Sequence, residues 1–445
     1  MPPNPARAGL REPRILGQRR FRQKVPILFS FVAANCKHRR FVFLLNRIRS
    51  NANRQVNAIA NREAEIEAGK SQRWTGAMSD TAAVSLAERE DMADRWLPLT
   101  QTLFEHRHFH LFCAYYLVTA WLLLALAIPD AGTVIADGLA TGFGADVLML
   151  GVAFLGWLLY FFVATRPERP IAALSEALSA RFLNGAALAR TLPTFVMISA
   201  VIGTFMGLKT QIPRIHPFSY DEPIIQLTSA ITGGKFAWQY LLTYFGAPWI
   251  IEMLCQVYYL WFPILYGVFV WQLFSTRDDR LRLQFILTIA VCWGLIGSFA
   301  ALAFSSAGPA FLPALWAKPT PFDGLLQHLE HIREGNHEIV ALQVRDTLWQ
   351  AYVAHSDIGG SGISAMPSMH VTMATVLALF GWRIGRIAGV ALTLFAALIF
   401  IGSILLGFHY ALDGDAGALA AAVIWYLSGH MAKIAYPAPE QSRPR

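Results

Sequence analysis

The sequence predicts an all-α integral membrane protein with about eight transmembrane helices, and three observations carry that prediction. The 445-residue chain is 55% hydrophobic and 15% charged, with a mean hydropathy of +0.41. That is more apolar than a water-soluble domain sustains. Uninterrupted apolar runs approach the roughly 20 residues that span a bilayer as a helix. Arginines cluster in the loops after the second, fourth and sixth runs, while the loops after the first and seventh hold none, the pattern expected when basic loops stay on the cytoplasmic side.

The runs fall at 109–128, 147–164, 192–208, 250–273, 285–304, 366–382, 387–407 and 416–434. Arg166, Arg169, Arg181 and Arg190 follow the second run, Arg277, Arg280 and Arg282 the fourth, and Arg383 and Arg386 the sixth. The loop after the first run and the turn after the seventh hold no Lys or Arg. This predicts that both termini are cytoplasmic; a bacterial inner membrane is the expected location. The chain then divides into a basic tail (1–77), a segment with two accessory helices (78–191), a six-helix catalytic core (192–434) and a short C-terminal tail (435–445).

The net charge of +8 is local. The first 77 residues hold 16 of the 37 Lys+Arg and 4 of the 29 Asp+Glu, a net +12 against −4 for the remainder. The high charge therefore gives the body of the protein no nucleic-acid partner. Three readings of the tail are open: a basic arm on anionic lipid, an organellar presequence, or translation from upstream of a start at Met78. Of Cys36, Cys113, Cys255 and Cys292, the last three sit in apolar runs and no CxxC occurs, so neither a disulfide framework nor a zinc site is expected.

The polar residues with chemistry to offer gather at one set of helix ends. Lys209 closes the third run, His370 opens the sixth, and His409 follows the seventh with Asp413 four residues later. Each lies at the end that loop charge assigns to the non-cytoplasmic face. If 409–413 is helical, His409 and Asp413 share a face. The carboxylate then holds Nδ1–H and leaves Nε2 free as a nucleophile. Grouping at helix ends, away from the midplane, disfavours a transporter. Glu252 reads as an interface or bundle residue, and 305–309 as a helix-terminating turn. The stretch 338–355 reads as an amphipathic helix, either on the bilayer surface or packed over the bundle.

Three motifs emerge: Lys209, six residues, then His216-Pro217; Pro367-Ser368-Met369-His370; and Gly407-Phe408-His409-Tyr410-Ala411-Leu412-Asp413. Over 192–433 they resemble the type 2 phosphatidic acid phosphatase superfamily, with its motifs KxxxxxxRP, PSGH and SRxxxxxHxxxD. Two departures matter: His216 stands at the first-motif arginine, with Arg214 close by, and Ser403 at the third-motif arginine. Loss of that arginine is similar to the inositol phosphorylceramide synthase branch, whose members transfer a phospho-headgroup between lipids. The resemblance implies a phosphohistidine intermediate and no metal or other cofactor. It also implies a lipid phosphoester as substrate and an alcohol or water as acceptor. In chemical terms, His409 attacks phosphorus, Asp413 stabilises the charge developing on it, and His370 protonates the leaving oxygen. Lys209, Arg214, His216 and Ser368, with the amides at the start of the sixth run, are the candidate phosphate holders.

Overall fold

The computed structural model describes residues 99–335, 337–356 and 362–437. The basic tail, the Met78 region and most of the C-terminal tail lie outside them. The eight expected membrane helices are all present: α1 (Arg107–Ala127), α2 (Ala131–Thr165), α3 (Gly185–Ile215), α4 (Pro248–Leu273), α5 (Asp279–Ala303), α6 (Met369–Ile384), α7 (Arg386–Leu405) and α8 (Ala411–Ala435). Among the described residues, seven are long and apolar enough to cross a membrane; α6 is the shorter one. Its 16 residues reach about 24 Å, short of a hydrocarbon core of roughly 30 Å. Large apolar side chains face outward, Leu126 at 88% and Ile387 at 89% exposure, as a lipid-facing surface requires. The protein is an all-α integral membrane protein.

α2 and α3 exceed their apolar runs by more than ten residues each. α2 begins 16 residues before its expected start, because 131–146 holds glycines and aspartates that dilute its hydropathy. Those glycines make a packing surface. A Cβ on Gly138 would lie 2.6 Å from the Gly203 carbonyl oxygen, and one on Gly142 would lie 2.5 Å from the Gly203 Cα. Gly207 is as tightly placed, 2.8 Å from the Val134 oxygen. The small-xxx-small pairs 138/142 and 203/207 thus let α2 and α3 touch backbone to backbone, the close approach that stabilises helix pairs in lipid.

Two further features shape the interior. α5 widens into a π-helix over Cys292–Ala300, a form that concentrates at functional sites. There the Ser298 hydroxyl contacts the Trp293 carbonyl at 3.2 Å and the Tyr116 hydroxyl at 2.7 Å. Arg282, read from sequence as a loop charge, is fully buried. Its guanidinium donates to the carbonyls of Gln272, Leu273 and Arg190. It therefore satisfies the negative end of α4, where carbonyls lack helical partners.

The connection from α5 to α6 carries the helices Asp323–Glu334 and Val340–Val353. The second is the expected amphipathic helix, and it packs over the bundle. Ile339 and Leu342 are buried, and the rings of Trp349 and Tyr352 pack on Phe311 and Phe218.

Candidate active site

Lys209, His370 and His409 line one cavity of about 330 Å³. Its walls come from α3, α4 and α5, and Val344 and Leu348 of the helix Val340–Val353 close over it. The cavity continues past the histidines along Ile202, Phe262 and Tyr266. Tyr266 is eight residues along α4 from Tyr258, which touches His370, so this apolar arm runs about 12 Å into the bundle.

His370 occupies the first turn of α6, packed against α4. Its ring stacks on Tyr258 at 4.2 Å and 17°, and meets Trp261 at 4.4 Å. Those aromatic faces fix the plane of the imidazole. The His409 ring is 6.4 Å away, centroid to centroid. The two imidazoles therefore stand within reach of one small group bound between them.

The helical premise for His409 and Asp413 needs correction. α8 starts at Ala411 with extended Tyr410 as its N-cap, so His409 stands before the helix. Asp413 Oδ2 accepts from the Tyr410 amide at 2.9 Å, where a carboxylate both satisfies an orphan donor and complements the dipole. The same oxygen is 3.5 Å from His409 Nδ1. The shorter bond of Nδ1 goes to the Ala365 carbonyl, at 2.8 Å. A carbonyl only accepts, so it fixes the proton on Nδ1 and leaves Nε2 unprotonated. The carboxylate lies alongside as a fixed charge.

Ala365 is held in turn. Its amide donates to the Ser306 carbonyl at 2.9 Å, and the next amide, of Met366, donates to the Ser306 hydroxyl at 3.0 Å. The amides of Ala307 and Gly308 donate to the Asp221 carboxylate at 2.8 and 2.9 Å. Asp221 also accepts from the Tyr410 hydroxyl at 2.7 Å and is 3% exposed. One buried carboxylate thus ties both the loop that aims Ala365 and the residue following His409. Gly308 fits because its φ is +91° and a Cβ there would lie 2.5 Å from the Phe408 oxygen. The 305–309 turn, read as a simple helix terminator, is the platform on which His409 is oriented.

The remaining expected phosphate holders lie elsewhere. Arg214 bonds Gln211 at 2.8 Å, approaches Asp130 at 3.9 Å, and lines a separate cleft. Residues five apart on a helix point about 140° from one another, so Lys209 and Arg214 cannot face the same cavity. His216 is the C-cap of α3; its Nδ1 contacts the Leu302 carbonyl at 2.7 Å and its Nε2 the Ser219 hydroxyl at 3.1 Å. Ser368 is buried as the N-cap of α6, its hydroxyl turned to the Val371 amide. Ser403 is also buried, its hydroxyl donating to the Phe400 carbonyl at 2.7 Å. Glu252 pairs with His337 at 2.9 Å. Among the described residues lining the cavity of the two histidines, Lys209 is the only lysine or arginine.

The family described as PAP2 superfamily, whose motifs the sequence resembles, matches residues 228–427. The match contains His370, His409 and Asp413 and leaves Lys209 outside. No curated protein and no solved structure gives a match to the chain.

Proposed function

We propose that the protein is a membrane phosphotransferase acting on lipid phosphoesters through a phosphohistidine intermediate. The carrying observation is that two histidines and one lysine converge on a cavity with a long apolar arm. The polar end takes the phosphate and the arm takes the lipid chain. His409 Nε2 attacks phosphorus; Nδ1–H stays on the Ala365 carbonyl while the Asp413 carboxylate stabilises the imidazolium that forms. His370 gives its proton to the departing alkoxide. It then removes the proton of the incoming hydroxyl, which attacks the phosphohistidine and restores His409. Lys209 holds a non-bridging oxygen.

A single fixed cation beside the phosphate favours a phosphodiester monoanion over a monoester dianion, which needs more positive charge. This supports transfer of a phospho-headgroup to an alcohol acceptor, the chemistry of the inositol phosphorylceramide synthase branch. The loop-charge pattern supports a site on the non-cytoplasmic face. The second reading, a lipid phosphate phosphatase, shares the first half-reaction and uses water as acceptor. Purified protein is to be incubated with phosphatidylinositol and with phosphatidic acid, with and without a ceramide or diacylglycerol acceptor. Acceptor-dependent headgroup transfer is the expected result. Rapid release of inorganic phosphate from phosphatidic acid with no acceptor would establish the phosphatase instead. Absence of either activity, with the fold intact, would overturn the catalytic reading.

A further inference from the structure

A second polar cavity, of about 460 Å³, lies where α3 begins and α4 ends, the opposite ends of those helices from the Lys209 and Tyr258 levels. Three arginines from three different elements line it: Arg181 ends the helix Pro170–Arg181, Arg190 stands in the second turn of α3, and Arg277 lies in the loop from α4 to α5. No aspartate or glutamate is among its lining residues. Arg181 and Arg277 are exposed and make no ion pair with a described residue. Arg190 has one carboxylate at 3.8 Å, that of Asp279, and its own Nε is buried with no partner. The buried guanidinium of Arg282 donates to the Arg190 carbonyl at 3.2 Å and adds to the positive field.

Loop arginines alone satisfy topology. What topology does not require is that three of them face a single cavity with no carboxylate in its wall. Asn184 and Thr276 line it, and so do Ala186 and Ala187 of the first turn of the 31-residue α3, whose dipole is positive there; the Ala187 amide is engaged by the Asn184 Oδ1 and the Asn184 Nδ2 by the Ala180 carbonyl, so the arginines are the groups left to meet an anion. Leu183 and Leu188, 63% and 44% exposed, put a lipid-facing apolar border beside this polar hollow. We propose that this cavity binds the phosphate of an anionic phospholipid headgroup, in the leaflet opposite the catalytic cavity. Fork-shaped guanidinium groups suit phosphate oxygens, and basic pockets between membrane helices are where such headgroups lodge. The site is independent of the catalytic reading.

The test uses full-length protein in phosphatidylcholine nanodiscs with or without phosphatidylglycerol, with retained lipid counted by native mass spectrometry. The expected result is selective retention of phosphatidylglycerol. Each exposed arginine contributes about fivefold near an anionic headgroup, so Arg181→Gln with Arg277→Gln should weaken retention by about 25-fold. Arg166→Gln with Arg169→Gln, at the same membrane end but outside the cavity, should leave it unchanged. Equal loss in both double variants, or loss in neither, overturns the proposal. Inorganic phosphate supplies the second arm. If it raises the melting temperature in phosphatidylcholine nanodiscs in an Arg181- and Arg277-dependent way while phosphatidylglycerol is not retained, the cavity takes a soluble anion and the lipid assignment fails. All variants are checked for an unchanged elution profile and turnover, since neither arginine touches the catalytic cavity.

Discussion

Replacing Asp413 with Asn removes one negative charge from beside His409 and keeps the side-chain shape. The His409 Nδ1 proton is anchored on the Ala365 carbonyl at 2.8 Å, and the carboxylate is 3.5 Å away. The substitution therefore tests charge and leaves the tautomer in place. When Nε2 bonds to phosphorus the ring gains a positive charge. At 3.5 Å and an effective dielectric of about 20, its attraction to the carboxylate is roughly 5 kcal/mol. The amide dipole recovers part of this. Losing one preorganised electrostatic partner typically costs about 2.7–4 kcal/mol, or about 10²–10³ in rate. We expect kcat for Asp413→Asn to fall by that factor with little change in KM, because the proposed mechanism assigns the phosphate to Lys209. His409→Ala should abolish turnover. Turnover of a short-chain fluorescent phospholipid in micelles measures both, and trapping of acid-labile phosphate on His409 reports the intermediate. If Asp413→Asn is as inactive as His409→Ala, the carboxylate sets the tautomer and the Ala365 anchor does not suffice. Wild-type activity would mean that the charge does not act on the nucleophile at all.

Three further outcomes are expected. His370→Ala should slow departure of an alkyl alcohol by about 10²–10⁴-fold but barely affect p-nitrophenolate, which needs no proton; equal losses on the two substrates would remove His370 as the acid. Asp221→Ala strands two buried amides and the Tyr410 hydroxyl, at about 1–3 kcal/mol each, so both the melting temperature and kcat should drop; an unaltered kcat in the folded variant would show that the platform does not aim His409. His106 is buried against the Arg282 guanidinium, whose Nη1 is 3.3 Å from its Nε2, and burial with that charge pushes its pKa down to about 3. A lowered histidine pKa means that the unfolded chain binds the proton first. Its contribution is therefore complete above about pH 6.5 and declines as pH falls toward 3, by up to about 1.4 kcal/mol per unit. Melting curves across that range should show the decline in wild type and a shallower one in His106→Gln.

What the sequence made legible follows from what periodicity and motif spacing can encode. Eight apolar runs identify eight helices, and run ends bring Lys209, His370 and His409 to one level of the bundle. The direction of a side chain at a helix end depends on where the helix stops, and that was not legible. α3 continues through Arg214 to Ile215, which turns Arg214 from the cavity and makes His216 a cap. α8 starts after His409, which transfers the orienting bond from Asp413 to a backbone carbonyl 44 residues away in sequence. Asp221 shows in the sequence only as an acid in the first turn of a surface helix, a common feature with a local explanation. Its three partners come from the 305–309 turn and from Tyr410, so its role exists only in the folded chain.

The two accessory helices, α1 and α2, lie outside the matched region, yet they brace the residues that line the deep end of the cavity. Its floor residue Tyr266 donates to Asp146 of α2 at 3.0 Å. The Tyr116 hydroxyl of α1 contacts Ser298 in the π segment that supplies Trp293 and Gly297 to the wall. The Trp121 indole donates to Thr204 of α3 at 3.0 Å, in the stretch where Gly203 and Gly207 meet α2 without side chains between them. A side chain at either glycine would push α3 off α2 and carry with it Lys209, which lies further along the same helix. The placement of the histidines is set by the C-terminal helices, whereas the depth of the cavity's apolar arm, and the position of its one lysine, are set by how α1 and α2 grip α3, α4 and α5.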